Sequence, residues 1–392
     1  MRPGIAALLL ALAPAARGGE DLLASETIVA REVPGPLDAD PGAALWDGIA
    51  PLAVALGPQR SIRLHDGRAN AELSRPGPTS LSLRAAHDGK DVAVLLEWLD
   101  ATEDRARPDR IDGYGDAAAL ELPLRFGAGV RLPYVGMGDE ELPVAVYFQR
   151  AAEDGTGGRE AIGSGFGSLA RADLGGARVA MRRDGKAGRW RAVFVRPLAA
   201  GPVDLRKGLV PVAFAVWDGA RLERGGNKSL SGWKLLRLAR WPLDPVYVAE
   251  LGWGRRPGDL GDVARGKQLV QGVCAACHLV GERRSARPGI APDLSAIGAI
   301  STPAYLRASI VTPSAVIVPN PNPAQHQDRG RPADARGAFP AADAFAWSRP
   351  DSSGRRISKM PVYGALPEAD VAAMVAYLMT LGAAAPGAGS PP

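Results

Sequence analysis

The run Cys274-Ala-Ala-Cys277-His278 carries the strongest chemistry in the chain. Two thiols held within one turn reach the two vinyl groups of a single porphyrin and form thioethers. The adjacent imidazole then meets the iron as the proximal ligand. We read the run as the attachment site of one covalent haem c, with Cys274 and Cys277 as thioether residues and His278 on the iron. A redox dithiol rarely carries the trailing His, and a zinc site needs two more ligands. His65, His87 and His326 stand at no zinc-ligand spacing. The chain has 2 Cys in 392 residues, so within it a disulfide framework, a Cys-only zinc site and an iron–sulfur cluster are excluded.

A haem iron of this kind takes a sixth ligand. Met360, in Lys359-Met360-Pro361, lies just before the last helical segment. Its thioether is soft, favours ferrous iron and raises the potential. Met374 and Met379 fall within that helix, where packing is the simpler role. The elements around these residues are helical. Asp262–Val273 has helical spacing and runs straight into the Cys motif, and Tyr305–Val311 reads as a short helix that stops at Thr312-Pro313. Pro367 opens a final helix with Glu368 and Asp370 in its first turn. Val371, Met374, Val375, Leu378 and Leu381 form its apolar stripe. Together ARGKQLVQGVCAACH (Ala264–His278), KMPVYG and ALPEADVAAMVAYLMTL resemble a class I cytochrome c domain. In that family the first and last helices cross at a small residue, and Gly266, Val270 and Tyr377 match the positions used there. The resemblance implies an all-α domain over 258–384. Its departure from the family is a Pro-rich insertion at 313–356.

Ahead of this domain the grammar is that of strands. SLSLRAA (Ser80–Ala86) and DVAVLLEWLD (Asp91–Asp100) flank the turn His87-Asp88-Gly89-Lys90, and Arg178–Pro197 makes a second hairpin around Asp184-Gly185. Leu142–Gln149 alternates, with Leu142, Val144, Val146 and Phe148 on one face, and Val210–Trp217 is a further apolar strand. Many short strands separated by turns predict an antiparallel β-sandwich over 25–248. The 48 Gly and 34 Pro suit such a turn-rich architecture.

Two glycine-flanked residues stand out in the strand-rich part. Met137 lies within LPYVGMGDEELP, and Lys228 follows Gly225-Gly226-Asn227. By themselves they read as a loop Met and a solvated turn Lys. In combination with the Trp46 segment and its later Gln59, DGKDVAVLLEW, PYVGMGDEELPV and FAVWDGARLERGGNKSLSGW resemble the haem b-binding gamma subunits of periplasmic molybdenum enzymes. That is the ethylbenzene dehydrogenase and dimethylsulfide dehydrogenase family, with relatives in chlorate and selenate reductases and nitrite oxidoreductases. The resemblance implies one non-covalent haem b held by Met137 and Lys228. It also implies partner chains: a molybdenum catalytic subunit, an iron–sulfur subunit and a soluble or membrane cytochrome. A Lys amine binds iron only when neutral. A six-coordinate iron leaves no open position, so such a site transfers electrons. His65 and His87 are the rival ligands, although each is followed by Asp-Gly, as in a turn.

Residues 1–18 carry an early Arg, a short apolar run and the small-x-small sequence Ala16-Arg17-Gly18. This is the layout of a secretory signal peptide, so a periplasmic location is expected. The apolar run is too short for a transmembrane segment, and the tail 385–392 is expected to be disordered. A net charge of +5 is too small to suggest a nucleic-acid partner. The leading expectation is a dihaem electron-transfer subunit with catalysis on another chain. The alternatives are a monohaem cytochrome c fused to a carbohydrate-binding-like sandwich and a dihaem peroxidase. The single Cys-x-x-Cys-His run counts against the peroxidase.

Overall fold

The computed structural model describes residues 26–59, 77–107, 109, 113–152, 158–165, 168–207, 209–238, 245–251, 256–281, 291–317 and 348–382. The expected leader, the tail, His65, His326 and most of the Pro-rich insertion lie outside the described residues.

The strand-rich part contains β1 (Thr27–Glu32), β2 (Leu52–Ala55), β3 (Gly57–Gln59), β4 (Ser80–His87), β5 (Asp91–Leu99), β6 (Ala117–Pro123), β7 (Val144–Arg150) and β8 (Gly158–Gly163). It continues with β9 (Ala170–Arg171), β10 (Arg178–Asp184), β11 (Arg189–Pro197), β12 (Ala199–Ala200), β13 (Val203–Asp204), β14 (Leu209–Trp217), β15 (Lys228–Leu230) and β16 (Lys234–Leu238). Both expected hairpins form. β4 pairs with β5 around Gly89, whose φ of +89° is the left-handed turn that glycine permits. β10 pairs with β11, from Arg178 opposite Val195 to Asp184 opposite Arg189.

Two layers result, joined by one strand. The order β10-β11-β5-β4-β1-β16-β14 makes the first layer, and β14-β6-β7-β8-β9 makes the second. β14 belongs to both: Leu209–Val212 pairs with β16, while Ala213–Trp217 pairs with β6. The main core lies between the layers and includes Leu83, Val94, Leu96, Leu120, Tyr147, Trp190, Phe214 and Leu236.

One expectation is revised: the sandwich is not wholly antiparallel, because β1 runs parallel to both β16 and β4. Val144, Val146 and Phe148 share the outer face of β7 as expected, with Ala145 and Tyr147 on the core face, although β7 starts at Val144 and Leu142 lies before it. The outer face of the second layer is itself covered, so both faces are apolar. A separate buried cluster there contains Ala117, Ala119, Val144, Ala213, Ala215, Trp217, Leu230 and Trp233.

The second unit is small and helical. α1 (Pro245–Leu251) packs Tyr247 against Leu209 and Leu235 of the sandwich, and α2 (Pro257–Leu260), α3 (Val263–Val273), α4 (Ile297–Ile300), α5 (Pro303–Val311) and α6 (Glu368–Leu378) contribute to the cluster that includes Cys274. Asp262 caps α3 by accepting the N–H of Arg265, and Thr302 caps α5 by accepting that of Tyr305. Pro303 sits at the first turn of α5, where a missing N–H costs nothing. α3 crosses α6 at Gly266, as expected from the sequence. A Cβ at Gly266 would lie 1.9 Å from the Ala373 carbonyl oxygen and 2.9 Å from Tyr377 Cβ, so a side chain there would part the helices. Val270 and Met374 are fully buried at this crossing, with Tyr377 beside them. Within the insertion, β17 (Ser348–Pro350) and β18 (Arg356–Ser358) form a short hairpin. Among the described residues, no helix is long and apolar enough to cross a membrane.

Candidate haem sites

The Cys motif sits at the end of α3, where the chain tightens into one short turn. Cys277 and His278 both donate their backbone N–H to the Cys274 carbonyl, which holds both thiols and the imidazole on one turn. Cys274 is buried, Cys277 is half-buried, and neither is in a disulfide. Burial pushes the Cys274 thiol up to about 11, so it stays protonated until the thioether forms. His278 is buried, and its Nδ1 lies 2.8 Å from the Pro292 carbonyl oxygen. Burial also lowers the imidazole pKa. A neutral ring that gives its Nδ1 proton to a carbonyl presents Nε2 as the metal-binding nitrogen. The residues fit a covalent haem. Pro292 is the partner that motif reading missed, because its role depends on the path of the chain after His278.

Met360 lies half-buried in the turn between β18 and α6. Its N–H donates to Ser358 Oγ at 3.1 Å, and Tyr363 N–H donates to the Ile310 carbonyl at 3.1 Å. These bonds pin the segment against α5. The Tyr363 hydroxyl pKa is raised by partial burial and by the two thiols. Tyr363, three residues after Met360, packs against the cluster that includes Cys274.

The second site lies on the outer face of the second layer of the sandwich. Here Met137 and Lys228 meet: Lys228 Nζ is 3.9 Å from Met137 Sδ. These two side chains would hold a haem iron between them, the amine and the thioether each supplying one donor atom. Met137 has φ of +115°, flanked by Gly136 and by Gly138 at +73°. Holding a long side chain in that region costs about 1–3 kcal/mol, which marks a residue placed for a purpose. The Gly138 N–H donates to the Tyr134 carbonyl at 2.7 Å. Asp139 ties the loop down through Arg131, at 2.7 Å, and the Tyr134 N–H, at 3.1 Å.

Lys228 is only 5% exposed. It starts β15, opposite Gln59 on β3, and its ammonium position lies 5.2 Å from the Trp217 ring centroid. Burial lowers its pKa, and the Glu121 carboxylate opposes that shift. Burial likewise raises the Glu121 carboxyl, with Lys228 pulling the other way. Both groups are pushed towards their neutral forms, which leaves the amine a lone pair for a metal. Around the pair, Gln59 Nε2 and Oε1, Glu121 Oε1 and Asn227 Oδ1 are buried without a hydrogen-bond partner. Such a cluster calls for a polar group among them. The floor is small: Ala117, Ala119, Ala213 and Ala215 line this face, whereas the opposite faces of the same strands carry Leu120, Leu122, Phe214 and Val216. A row of alanines sets only methyl groups on this face, so a flat macrocycle could lie close to the strands once the covering segments part. The residues fit a non-covalent haem. Gln59, Glu121 and the alanine row were not singled out as site residues from the sequence. Glu121, one charge within the run Ala117–Pro123, was the available signal.

His87 is wholly buried in β4, at the opposite end of the pairing from this site. The structure does not bring it to Met137 or Lys228. Beyond the loop 218–227 lies an acidic trio of Asp100, Asp116 and Asp218, whose oxygens are all within 4.8 Å of one another. Asp116 accepts N–H bonds from Gly219 and Asp104 at 2.8 Å and from Trp190 Nε1 at 2.9 Å. Burial pushes Asp116 up to about 7. Burial and Asp100 push Asp218 up to about 6.

The Cytochrome c family model matches residues 263–382. A candidate respiratory nitrate reductase heme subunit from Haloferax mediterranei is 29% identical over 233 residues, which cover 58% of this chain and 76% of that protein. The gamma subunit of dimethylsulfide dehydrogenase from Rhodovulum sulfidophilum is 29% identical over 167 residues, covering 40% of this chain and 60% of the relative. The gamma subunit of chlorate reductase from Ideonella dechloratans is 30% identical over 231 residues, covering 58% of this chain and 90% of the relative. On this coverage the chain belongs to the family of gamma subunits of molybdenum oxidoreductases, and it carries a cytochrome c domain in addition.

Proposed function

We propose that this chain is an exported, dihaem electron-transfer subunit. One haem c is held covalently by Cys274 and Cys277, with His278 and Met360 on the iron. One haem b is held by Met137 and Lys228. In this family catalysis resides on another subunit. The relay we assign runs between an iron–sulfur partner and a cytochrome chain, through the two haems. Bound haem supplies one-electron exchange. The chain's own residues would exclude water, present the two ligand side chains and, through burial, favour the neutral form of the Lys228 amine.

The observation that carries the reading is the buried Met137–Lys228 pair at 3.9 Å, set on a floor of alanines. Without a cofactor, a buried Lys lacking a full salt bridge and a Met at φ +115° are both costs to stability. The test is a pyridine haemochrome spectrum of the exported protein, with acid–acetone extraction to separate free from covalent haem. One extractable b haem per covalent c haem is expected. Covalent haem alone, after expression with ample haem, would return the chain to a monohaem cytochrome with a ligand-binding sandwich.

A further inference from the structure

The cytochrome c domain is seated directly on the segments that carry Met137 and Lys228. Ile300, at the end of α4, packs against the outer cluster that includes Val135, Leu230 and Trp233. The Gly232 N–H, two residues beyond β15, donates to the Ala299 carbonyl at 2.8 Å. Gly57, which pairs with Leu230, makes room for the same helix: a Cβ there would lie 2.8 Å from Ile300 Cγ2 and 3.3 Å from the Ala296 carbonyl oxygen. Tyr134, three residues before Met137, meets Tyr305 of α5 with ring centroids 6.0 Å apart. Trp233 Nε1 fixes the seat from below by donating to the Pro133 carbonyl at 3.0 Å.

The seat is equally tied to the other site. Leu294 N–H bonds the Leu279 carbonyl, one residue from His278, and Pro292 accepts from His278 itself. α4 follows directly, and Gly298 N–H anchors it to the Leu381 carbonyl beyond α6. Ile300 takes no part in the cytochrome domain's own core, where Ile297 packs. Its apolar side chain serves the interface.

From this geometry we propose that the surface formed by Gly57, Val135, Gly232 and Trp233 is a docking site for the chain's own cytochrome c domain, and that docking closes the haem b site. The proposal rests on the haem b reading. Segments 132–138 and 228–232 must be ordered to hold haem b, and the same segments must be ordered to seat α4 and α5. Each event therefore favours the other, and the coupling is reciprocal.

The experiment uses the full-length holoprotein and excess apomyoglobin as a haem acceptor. Ile300→Glu places a charge in the apolar seat without touching either ligand pair. The b haem should leave this variant at least tenfold faster than wild type, with one covalent haem c per chain retained and an unchanged far-ultraviolet circular dichroism spectrum. Ile300→Val should restore the wild-type rate. Ala299→Glu is the second probe should Ile300→Glu fail to accumulate, and it should show the same acceleration. Equal rates of haem b loss from wild type and a folded seat variant would overturn the coupling and leave the haem b assignment standing. A wild-type protein holding no extractable b haem would overturn both.

Discussion

Cys274, Cys277 and His278 lie within five consecutive positions, whereas Met137 and Lys228 stand 91 residues apart and meet through tertiary folding. The first site is held by covalent bonds to come, so its geometry needs only one turn of chain and the Pro292 carbonyl. The second, as proposed, makes no covalent bond to a macrocycle and would hold it by shape. That shape draws on the alanines of β6 and β14, the strained Met137 loop, β15 and the buried polar atoms of Gln59, Glu121 and Asn227. A covalently attached cofactor thus asks little of the fold, and a non-covalent one asks for a whole sheet face.

This contrast is open to attack at both sites. The largest effect is expected for Lys228→Ala. Extractable haem should fall from one per chain to none while covalent haem stays at one, and unchanged b haem would remove Lys228 as a ligand. Gly266→Val should come next. A side chain there collides with the Ala373 carbonyl at the crossing of α3 and α6. A loss of about 3 kcal/mol is expected for overpacking with no room to relax, read as a lowered melting temperature of the haem c absorbance, with the b haem spectrum unmoved at the start of the melt. Met360→Ala should keep the covalent haem, lower its potential and open the iron to carbon monoxide. An unaltered potential would assign the sixth position to another group.

Ala119→Leu fills the floor of the haem b face without entering the main core, since Ala119 belongs to the outer cluster. Haem b occupancy should drop at limiting haem supply, by more than the destabilisation of about 1–3 kcal/mol expected for overpacking a buried site accounts for in urea unfolding of the haem-free protein. An equal loss of stability would mean the face is close-packed without haem. The smallest effect should come from Asp218→Asn. Asp218 is raised to about 6 in the folded chain, so the native state binds its proton more tightly than the unfolded state does. Its contribution to stability therefore falls as pH rises from about 4 through 6. Asn keeps the cap on the Arg221 N–H and does not ionise. The variant should match wild type at pH 4 and be about 1 kcal/mol more stable at pH 8, a figure held down because Asp218 is partly open to solvent. Equal melting temperatures at pH 8 would show that the acidic trio is already neutralised.

Much of the architecture was legible where the information is local. Gly89 and Asp184-Gly185 marked their hairpins because tight turns need particular backbone angles. Asp262 marked a helix start for a similarly local reason, whereas the helix crossing at Gly266 was named through the resemblance to the cytochrome c family. β1 was not legible as a strand with two parallel neighbours, because its partners β4 and β16 are chosen by the packing of the whole sheet. The facing of β7 was legible at Val144, Val146 and Phe148, whereas its start was placed two residues early at Leu142, which is apolar and buried but lies before the strand. At the sites, Cys274, Cys277 and His278 could be read from spacing alone. Met137 and Lys228 could be named only through resemblance to a family. Glu121 and Pro292 escaped notice, since each acts through a neighbour supplied by the fold, and Gln59 was named only as part of the resemblance, without a role.

The passage of β14 from one layer to the other has a consequence for how the molecule breathes. Its nine buried residues are shared by both sheets, so neither sheet can open while the other stays closed. The amide protons of β14 should exchange with solvent only through the largest openings of the sandwich, and at a common rate along the strand. The loop that delivers Lys228 springs directly from Trp217, at the end of this slowest-exchanging segment. Lys228, one of the two proposed ligands, is thereby fastened to the strand expected to persist longest, and the other, Met137, rides on a loop. Release of haem b should then begin on the methionine side.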